Sequence, residues 1–303
     1  MLAPIDKLRN GGNQNIQIIV TSRCDLRCSN CTQSVAHSGN KYNISLSSFR
    51  EACESLRDWP GIVGVFGGNP TTHKQFPELC AILCEVIPDQ RHRGLWSNNL
   101  LKHGSVVRDT FYPHGTFNLN AHGNAAAFAD FERWVPGKAI KESGTTQSWH
   151  SPILTAIEDF VGSEYIPDRE TMWAIIKNCP INNDWSGGII ERNGVAKGYF
   201  CEVAAAFDIL YDEDNGIPVY PQWWKSGIER FENQIERWCP SCGVPLNLKG
   251  SMDLDDTDTY SKTHEQLVQI KPYRKATLIE SLHQTRTERA TDYMRRWSKE
   301  INV

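Results

Sequence analysis

The chain runs to 303 residues, enough for one large α/β domain and a small appendage. A formal net charge of −4 and a pI near 6.1 exclude a global basic field of the kind that gathers nucleic acid, so any steering of a polyanion is local. There is no run of about 18 apolar residues to span a bilayer and no secretion-signal pattern at the N-terminus. Ten cysteines are therefore expected to serve metal or cluster ligation in a reducing, cytoplasmic setting rather than a disulfide framework.

Ile16 to Thr21 is apolar except for Gln17 and predicts a buried parallel strand. It runs into Thr-Ser-Arg-Cys-Asp-Leu-Arg-Cys-Ser-Asn-Cys, which places Cys24, Cys28 and Cys31 at C-x3-C-x2-C spacing. Three thiolates so close on one loop can each reach a different iron of one cubane and leave the fourth iron open to a substrate or cofactor. A three-ligand zinc site and a chance cluster of thiols are the other readings of the triplet. A helix is expected from Ser45 or Ser47, polar cap candidates, with Phe49, Ala52, Cys53 and Leu56 on one face.

A second buried strand, Ile62 to Phe66, leads into Gly67-Gly68-Asn69-Pro70, where two glycines allow close backbone approach to a ligand. A helix from about Pro77 to Ile87 follows, then a strand at Gly94 to Trp96 ending in Ser97-Asn98-Asn99. Thr116 to Asn120 predicts a fourth strand, with Asn118 and Asn120 on one face, ending in Ala121-His122-Gly123. Pro152 to Phe160 reads as a fifth strand, although its pattern also suits a helix, and Trp185 to Ile190 as a sixth. Such alternation argues for a parallel α/β sheet or barrel.

Four more cysteines follow: Cys179, Cys201, Cys239 and Cys242. Between the first two, Asn193-Gly194 predicts a type I′ hairpin turn within 189–195. Ala204 to Phe207 is helical in character, and a polar connection leads to Cys239-Pro-Ser-Cys242-Gly. Four thiolates can close one cubane completely, and they are equally a structural zinc set. Cys53, Cys80 and Cys84 read as packing residues. Trp173, Trp185, Trp223, Trp224 and Trp238 read as core or as shielding for a cluster. Trp149-His150 and Glu158 flank the fifth strand, and His150 or Glu158 is a candidate proton acceptor. Residues 251–262 are acidic without apolar periodicity and predict a linker; from about Lys271 the tail is basic and helical in propensity.

The cysteine triplet after a buried strand, with Gly-Gly-Asn-Pro one strand later, resembles the radical S-adenosylmethionine (SAM) enzymes. That resemblance implies a partial (β/α)6 TIM barrel with its chemistry at the C-terminal strand ends. It implies a [4Fe-4S] cluster on Cys24, Cys28 and Cys31 whose open iron chelates SAM, and reductive cleavage to a 5′-deoxyadenosyl radical. Asn30 stands where the family commonly has an aromatic residue, and Asn69 where it has the acid of Gly-Gly-Glu-Pro. Gly67, Gly68, Asn69, Ser97, Asn98 and Asn120 are the implied SAM contacts.

The later cysteines resemble a twitch domain, a shortened SPASM module holding an auxiliary [4Fe-4S] cluster on Cys179, Cys201, Cys239 and Cys242, with zinc as the alternative. The implied division is a barrel over 1–178, with its last strand extending to about 190, an auxiliary module over 179–250, and a linker and tail over 251–303. The implied function is hydrogen abstraction from a carbon of a polar small-molecule or nucleotide substrate, leading to dehydrogenation with the second cluster as electron acceptor. An isomerase acting on a modified nucleotide, of the kind that remodels phage thymidines, and a non-catalytic zinc or iron-sulfur protein are the alternatives. A flavodoxin or ferredoxin is the implied reducing partner, and the basic tail is the one hint of nucleic acid.

Overall fold

The structure, a computed structural model, describes residues 15–38, 41–140, 149–150, 152–179, 181, 187–246, 248, 251–252, 257–270 and 275–282. Strand β1 (Asn15–Thr21) is the middle strand of a seven-stranded, mostly parallel sheet. Parallel strands β2 (Ile62–Gly67), β3 (Arg93–Ser97) and β4 (Thr116–Leu119) succeed one another on one side, with Ile18 opposite Val65, Val65 opposite Leu95 and Leu95 opposite Phe117. A two-residue strand β5 (Trp149–His150) lies outside this sheet. On the other side of β1 runs β6 (Gly187–Arg192), parallel, and then antiparallel β7 (Val195–Tyr199) and β8 (Ile217–Pro218). The β6–β7 turn is Asn193-Gly194, both at positive φ (53° and 76°), as the sequence predicts.

Helices α1 (Leu46–Ser55), α2 (Phe76–Val86), α3 (Gly104–Phe111) and α4 (Ala125–Trp134) connect or follow the parallel strands. Ser45 caps α1 by accepting from Ser48 N, and Phe49, Ala52, Cys53 and Leu56 are fully buried on its inner face. Each such large apolar side chain contributes about 1.5–3 kcal/mol when fully buried. Cys80 joins the same core, while Cys84 is half-buried with its Sγ 3.2 Å from Arg93 Nη1. Trp223 and Trp238 are among the largest fully buried side chains.

The expected fifth strand is corrected. Residues 152–160 form turns and a 3-10 segment (Ile157–Phe160), not a fifth strand. Their apolar side chains are buried, but Gly243 N donates to Ile153 O and Glu158 N to Pro240 O, so the backbone bonds a loop instead of a ladder. A short apolar run fits either use. The sixth strand begins at Gly187 and lies beside β1; Trp185 falls outside the described residues.

The acidic linker also gives way, and the first described residues past Lys271 form a strand. Strands β9 (Ser251–Met252), β10 (Thr257–Tyr260) and β11 (Lys275–Leu278) occur there, with β5 pairing antiparallel to β9 and β10 parallel to β11. Residues 283–303 lie outside the described residues. The remaining helices among the described residues include α5 (Arg169–Lys177), α6 (Glu202–Tyr211), α7 (Glu232–Trp238) and α8 (Glu265–Ile270). Among the described residues no helix is long and apolar enough to cross a membrane.

Candidate functional site

The loop after β1 is fixed at its root. Thr21 Oγ1 donates toward Asn43 Oδ1 (2.9 Å) and accepts from Arg23 N (3.0 Å), while Gly68 N donates to Thr21 O and Asn69 N to Arg23 O. The paired glycines explain this approach. A Cβ on Gly67, whose φ is +142°, would stand 2.4 Å from Thr21 O, and one on Gly68 would stand 2.2 Å from Arg23 O. The close backbone neighbour of the two glycines is thus the cysteine loop.

Cys24, Cys28 and Cys31 line a single cavity of about 560 Å³ together with Gly67, Gly68, Ser97, Asn98, Asn120 and His122. These residues come from the C-terminal ends of β1, β2, β3 and β4, where the chemistry of such sheets is built. Cys24 Sγ lies 3.7 Å from Asn98 Oδ1, and Cys28 Sγ 3.9 Å from His122 Nδ1. Burial pushes the Cys24 thiol up to about 12 and raises that of Cys31, which backbone N–H groups of Val35, Gln33 and Ser34 partly offset. Without a cation these thiols hold their protons; a bound metal reverses that preference.

Asn69 does not face the cavity. It is fully buried, its Oδ1 accepts from Ser97 Oγ (2.8 Å) and Thr71 Oγ1 (3.0 Å), and its Nδ2 donates to Asp25 Oδ1 (3.0 Å) and Asn99 O (3.2 Å). The sequence reading passed over Asp25, which also accepts from Asn98 Nδ2 (2.9 Å) and Asn99 Nδ2 (3.3 Å). A carboxylate ringed by three amides ties the cysteine loop to the ends of β2 and β3. Its place in Cys-Asp-Leu-Arg-Cys was the one available signal.

The cysteine loop has a second anchor on its far side. Asn30 N donates to Asp258 Oδ1 (2.8 Å), Asp258 Oδ2 pairs with His37 Nε2 (2.5 Å), Thr259 N donates to Asn30 Oδ1 (3.2 Å), and Ser29 Oγ donates to Thr257 O (2.8 Å). Strand β10 therefore grips the residues between Cys28 and Cys31.

Cys179, Cys201, Cys239 and Cys242 line a second cavity, walled otherwise by apolar side chains including Ile176, Phe200, Phe207 and Trp238. Burial raises the Cys239 thiol well above its ordinary value, and the neighbouring thiols of Cys201, Cys242 and Cys179 raise it further. Cys242 is raised in the same way, by burial first and then by Cys179.

The Cys-Pro-Ser-Cys loop is held from outside. Ser241 Oγ donates to Glu158 Oε1 (3.1 Å), and His264 Nε2 is 2.7 Å from Ser241 O. Because a carbonyl only accepts, His264 carries its hydrogen on Nε2, and its Nδ1 accepts from Tyr211 Oη. Burial lowers the His264 pKa to about 4, so the ring is neutral. Glu158 thus grips this loop and is not among the residues lining the first cavity. The side chain of His150 lies outside the described residues. Among the described residues, no three His, Cys, Asp or Glu side chains converge tightly enough to hold one metal ion.

Two solved structures are similar in the course of the chain. The crystal structure of BtrN in complex with AdoMet and 2-DOIA has a TM-score of 0.46 at 16% identity, covering 76% of this chain and 88% of that one. The selenomethionine form of BtrN in an open conformation has a TM-score of 0.37 at 14% identity, covering 77% and 87%. At these TM-scores neither likeness bears on function. No family model matches the chain, and no curated protein does.

Proposed function

We propose that this chain is a radical SAM enzyme that oxidises a polar small molecule. The observation that carries the reading is that Cys24, Cys28 and Cys31, and no other cysteine, share a cavity of about 560 Å³ with the C-terminal ends of four parallel strands. The donor set fits a [4Fe-4S] cluster with one open iron: three soft thiols on one loop, and room beside them for a nucleoside-sized ligand. Cys24, Cys28 and Cys31 would hold such a cluster, which when bound would supply the one-electron reducing chemistry for SAM cleavage and hydrogen abstraction from a substrate carbon.

The chain's own residues orient and shield. Asn98 and His122 stand beside Cys24 and Cys28. Ser97 lines the cavity with its hydroxyl engaged by Asn69 Oδ1 and Asn99 O, so it offers lone pairs to a ligand and no free proton. The buried side chain of Asn69 supports Ser97 and Asp25, and its contribution to SAM is to shape the wall.

Cys179, Cys201, Cys239 and Cys242 on an apolar cavity support a second [4Fe-4S] cluster, in a twitch-like module over 179–250, as acceptor of the substrate electron. A ferredoxin or flavodoxin fits as the donor to the first cluster.

The test is anaerobic reconstitution with iron and sulfide counting, and dithionite-driven release of 5′-deoxyadenosine from SAM. About eight irons in wild type, falling to about four with cleavage lost in Cys24→Ala/Cys28→Ala/Cys31→Ala, is the expected result. Zinc in place of the second set of irons would remove the acceptor and the oxidation with it; absence of SAM cleavage in wild type would overturn the whole reading.

A further inference from the structure

One row across the inner face of the sheet is almost bare of side chains. Gln17 on β1 stands opposite Gly64 on β2, Gly64 opposite Gly94 on β3, and Gly94 opposite Thr116 on β4, while Gly188 on β6 stands opposite Gln17 from the other side. Gln17 and Thr116 line the large cavity. Residues in register on neighbouring strands share a face, so the glycines of this row leave a trench in the cavity floor. The row lies three residues before Gly67 on β2 and three before Ser97 on β3, about 10 Å below the strand ends.

Two side chains reach over the trench. Trp96 lines the cavity from the next row; a Cβ on Gly94 would stand 2.5 Å from its Cζ3 and 3.1 Å from its Cη2, and one on Gly64 would stand 3.0 Å from the same Cζ3. The far edge of the indole therefore comes down onto the two glycines, and the ring lies along the sheet with its free side to the cavity. Gln17 reaches the same place, since a Cβ on Gly64 would stand 2.0 Å from its Oε1. Gln17 is 2% exposed, and that Oε1 has no hydrogen-bond partner among the described residues. A buried amide oxygen is rarely left unmatched unless a bound group supplies the donor. On the far side of Gln17, a Cβ on Gly188 would stand 2.9 Å from Ala205 Cβ, so α6 closes that end of the trench.

Resting on the proposed function, we propose that Trp96 and Gln17 form the substrate subsite, a slot for a flat heterocycle with a ring N–H beside a ring carbonyl. The indole gives such a ring a surface to stack on. A primary amide carries an acceptor and a donor in one plane, so Gln17 Oε1 accepts the ring N–H while its Nε2 donates to the adjacent carbonyl. Both contacts are neutral and buried, where an unmatched partner is costly. The adenine of SAM shares a flat face and a donor–acceptor edge. The depth of the row below Gly67 and Ser97, the implied SAM contacts, favours a second molecule.

The test is saturation-transfer NMR on the full chain, reconstituted anaerobically, without reductant and with or without saturating SAM, using uridine, 3-methyluridine and dihydrouridine as probes. The second lacks the ring N–H and the third lacks the flat ring. Uridine is expected to bind at least about ten-fold more tightly than either, with SAM present or absent. Gln17→Leu should erase the preference over 3-methyluridine, Trp96→Leu should erase the preference over dihydrouridine, and neither should change the affinity for SAM. No binding of uridine, equal binding of the three, or an unchanged order in variants with wild-type melting temperatures overturns the proposal. Displacement of uridine by SAM, or lost SAM affinity in both variants, gives the slot to adenine and overturns it as well. The wild-type order decides it if a variant does not fold. Dithionite-driven SAM cleavage by wild type is read separately. Its failure with the probe order intact sinks the radical reading and upholds the slot; its success with the three probes bound equally sinks the slot alone.

Discussion

Replacing Asp258 tests how the cysteine loop is held. Its carboxylate accepts from Asn30 N at 2.8 Å and pairs with His37 Nε2 at 2.5 Å, with the two side chains 4% and 2% exposed. Removing one partner of a buried hydrogen bond leaves the other unsatisfied, at a cost of about 1–3 kcal/mol. Asp258→Ala also deprives Asn30 N of its acceptor, so the loss is expected at or above the lower end of that range. Asp258→Asn keeps an acceptor for Asn30 and should cost less. His37→Ala removes the same pair from the other side. A double-mutant cycle is therefore expected to give a coupling of about 2 kcal/mol. The assay is urea unfolding of the apo chain followed by circular dichroism, with iron counted on reconstituted samples in parallel. A shift below about 1 kcal/mol for Asp258→Ala, or additivity of the two substitutions, would refute the reasoning. Iron retained in full by an otherwise destabilised variant would show that β10 steadies the fold without shaping the cysteine loop.

Gly68→Ala puts a methyl group 2.2 Å from the Arg23 carbonyl, so it should cost about 2 kcal/mol or more and lower SAM-dependent cleavage; unchanged melting and turnover would contradict the close approach. The neutral, buried His264 has a folded pKa of about 4, below its ordinary value. The unfolded state therefore binds more protons between about pH 4 and 6.5, so stability is full above pH 6.5 and falls with acidification, by about 2 kcal/mol at pH 5. His264→Gln should flatten that dependence in denaturation curves at pH 7 and 5, and an equally steep curve would speak against it. Cys53→Ala and Cys80→Ala remove fully or almost fully buried thiols from the apolar core and should leave the iron count unchanged while lowering the melting temperature modestly; lost iron would make either one a ligand.

Much of the site was legible because its signals are local. A strand followed by closely spaced thiols, or two glycines before a proline, declares itself within a dozen residues, and β1 to β4 with α1 and α2 follow from apolar periodicity. The expectation for Asn69 rested on position alone, and its four hydrogen bonds to neighbours from three loops could not be read from the chain. Glu158 was placed with the substrate because of its nearness to a strand that does not form; the backbone there bonds the Cys-Pro-Ser-Cys loop instead.

By itself the sequence singled out Cys24, Cys28 and Cys31 as one group of candidate ligands and the strand that precedes them, because covalent spacing limits where neighbouring thiols can point. Only the tertiary structure decided that β6 lies beside β1, that residues 257–260 strap the cysteine loop, and that Gln17 and Glu202 face one cavity. Those contacts join residues far apart in the chain. They are settled by burial and hydrogen-bond satisfaction across the whole fold, to which a local pattern is blind.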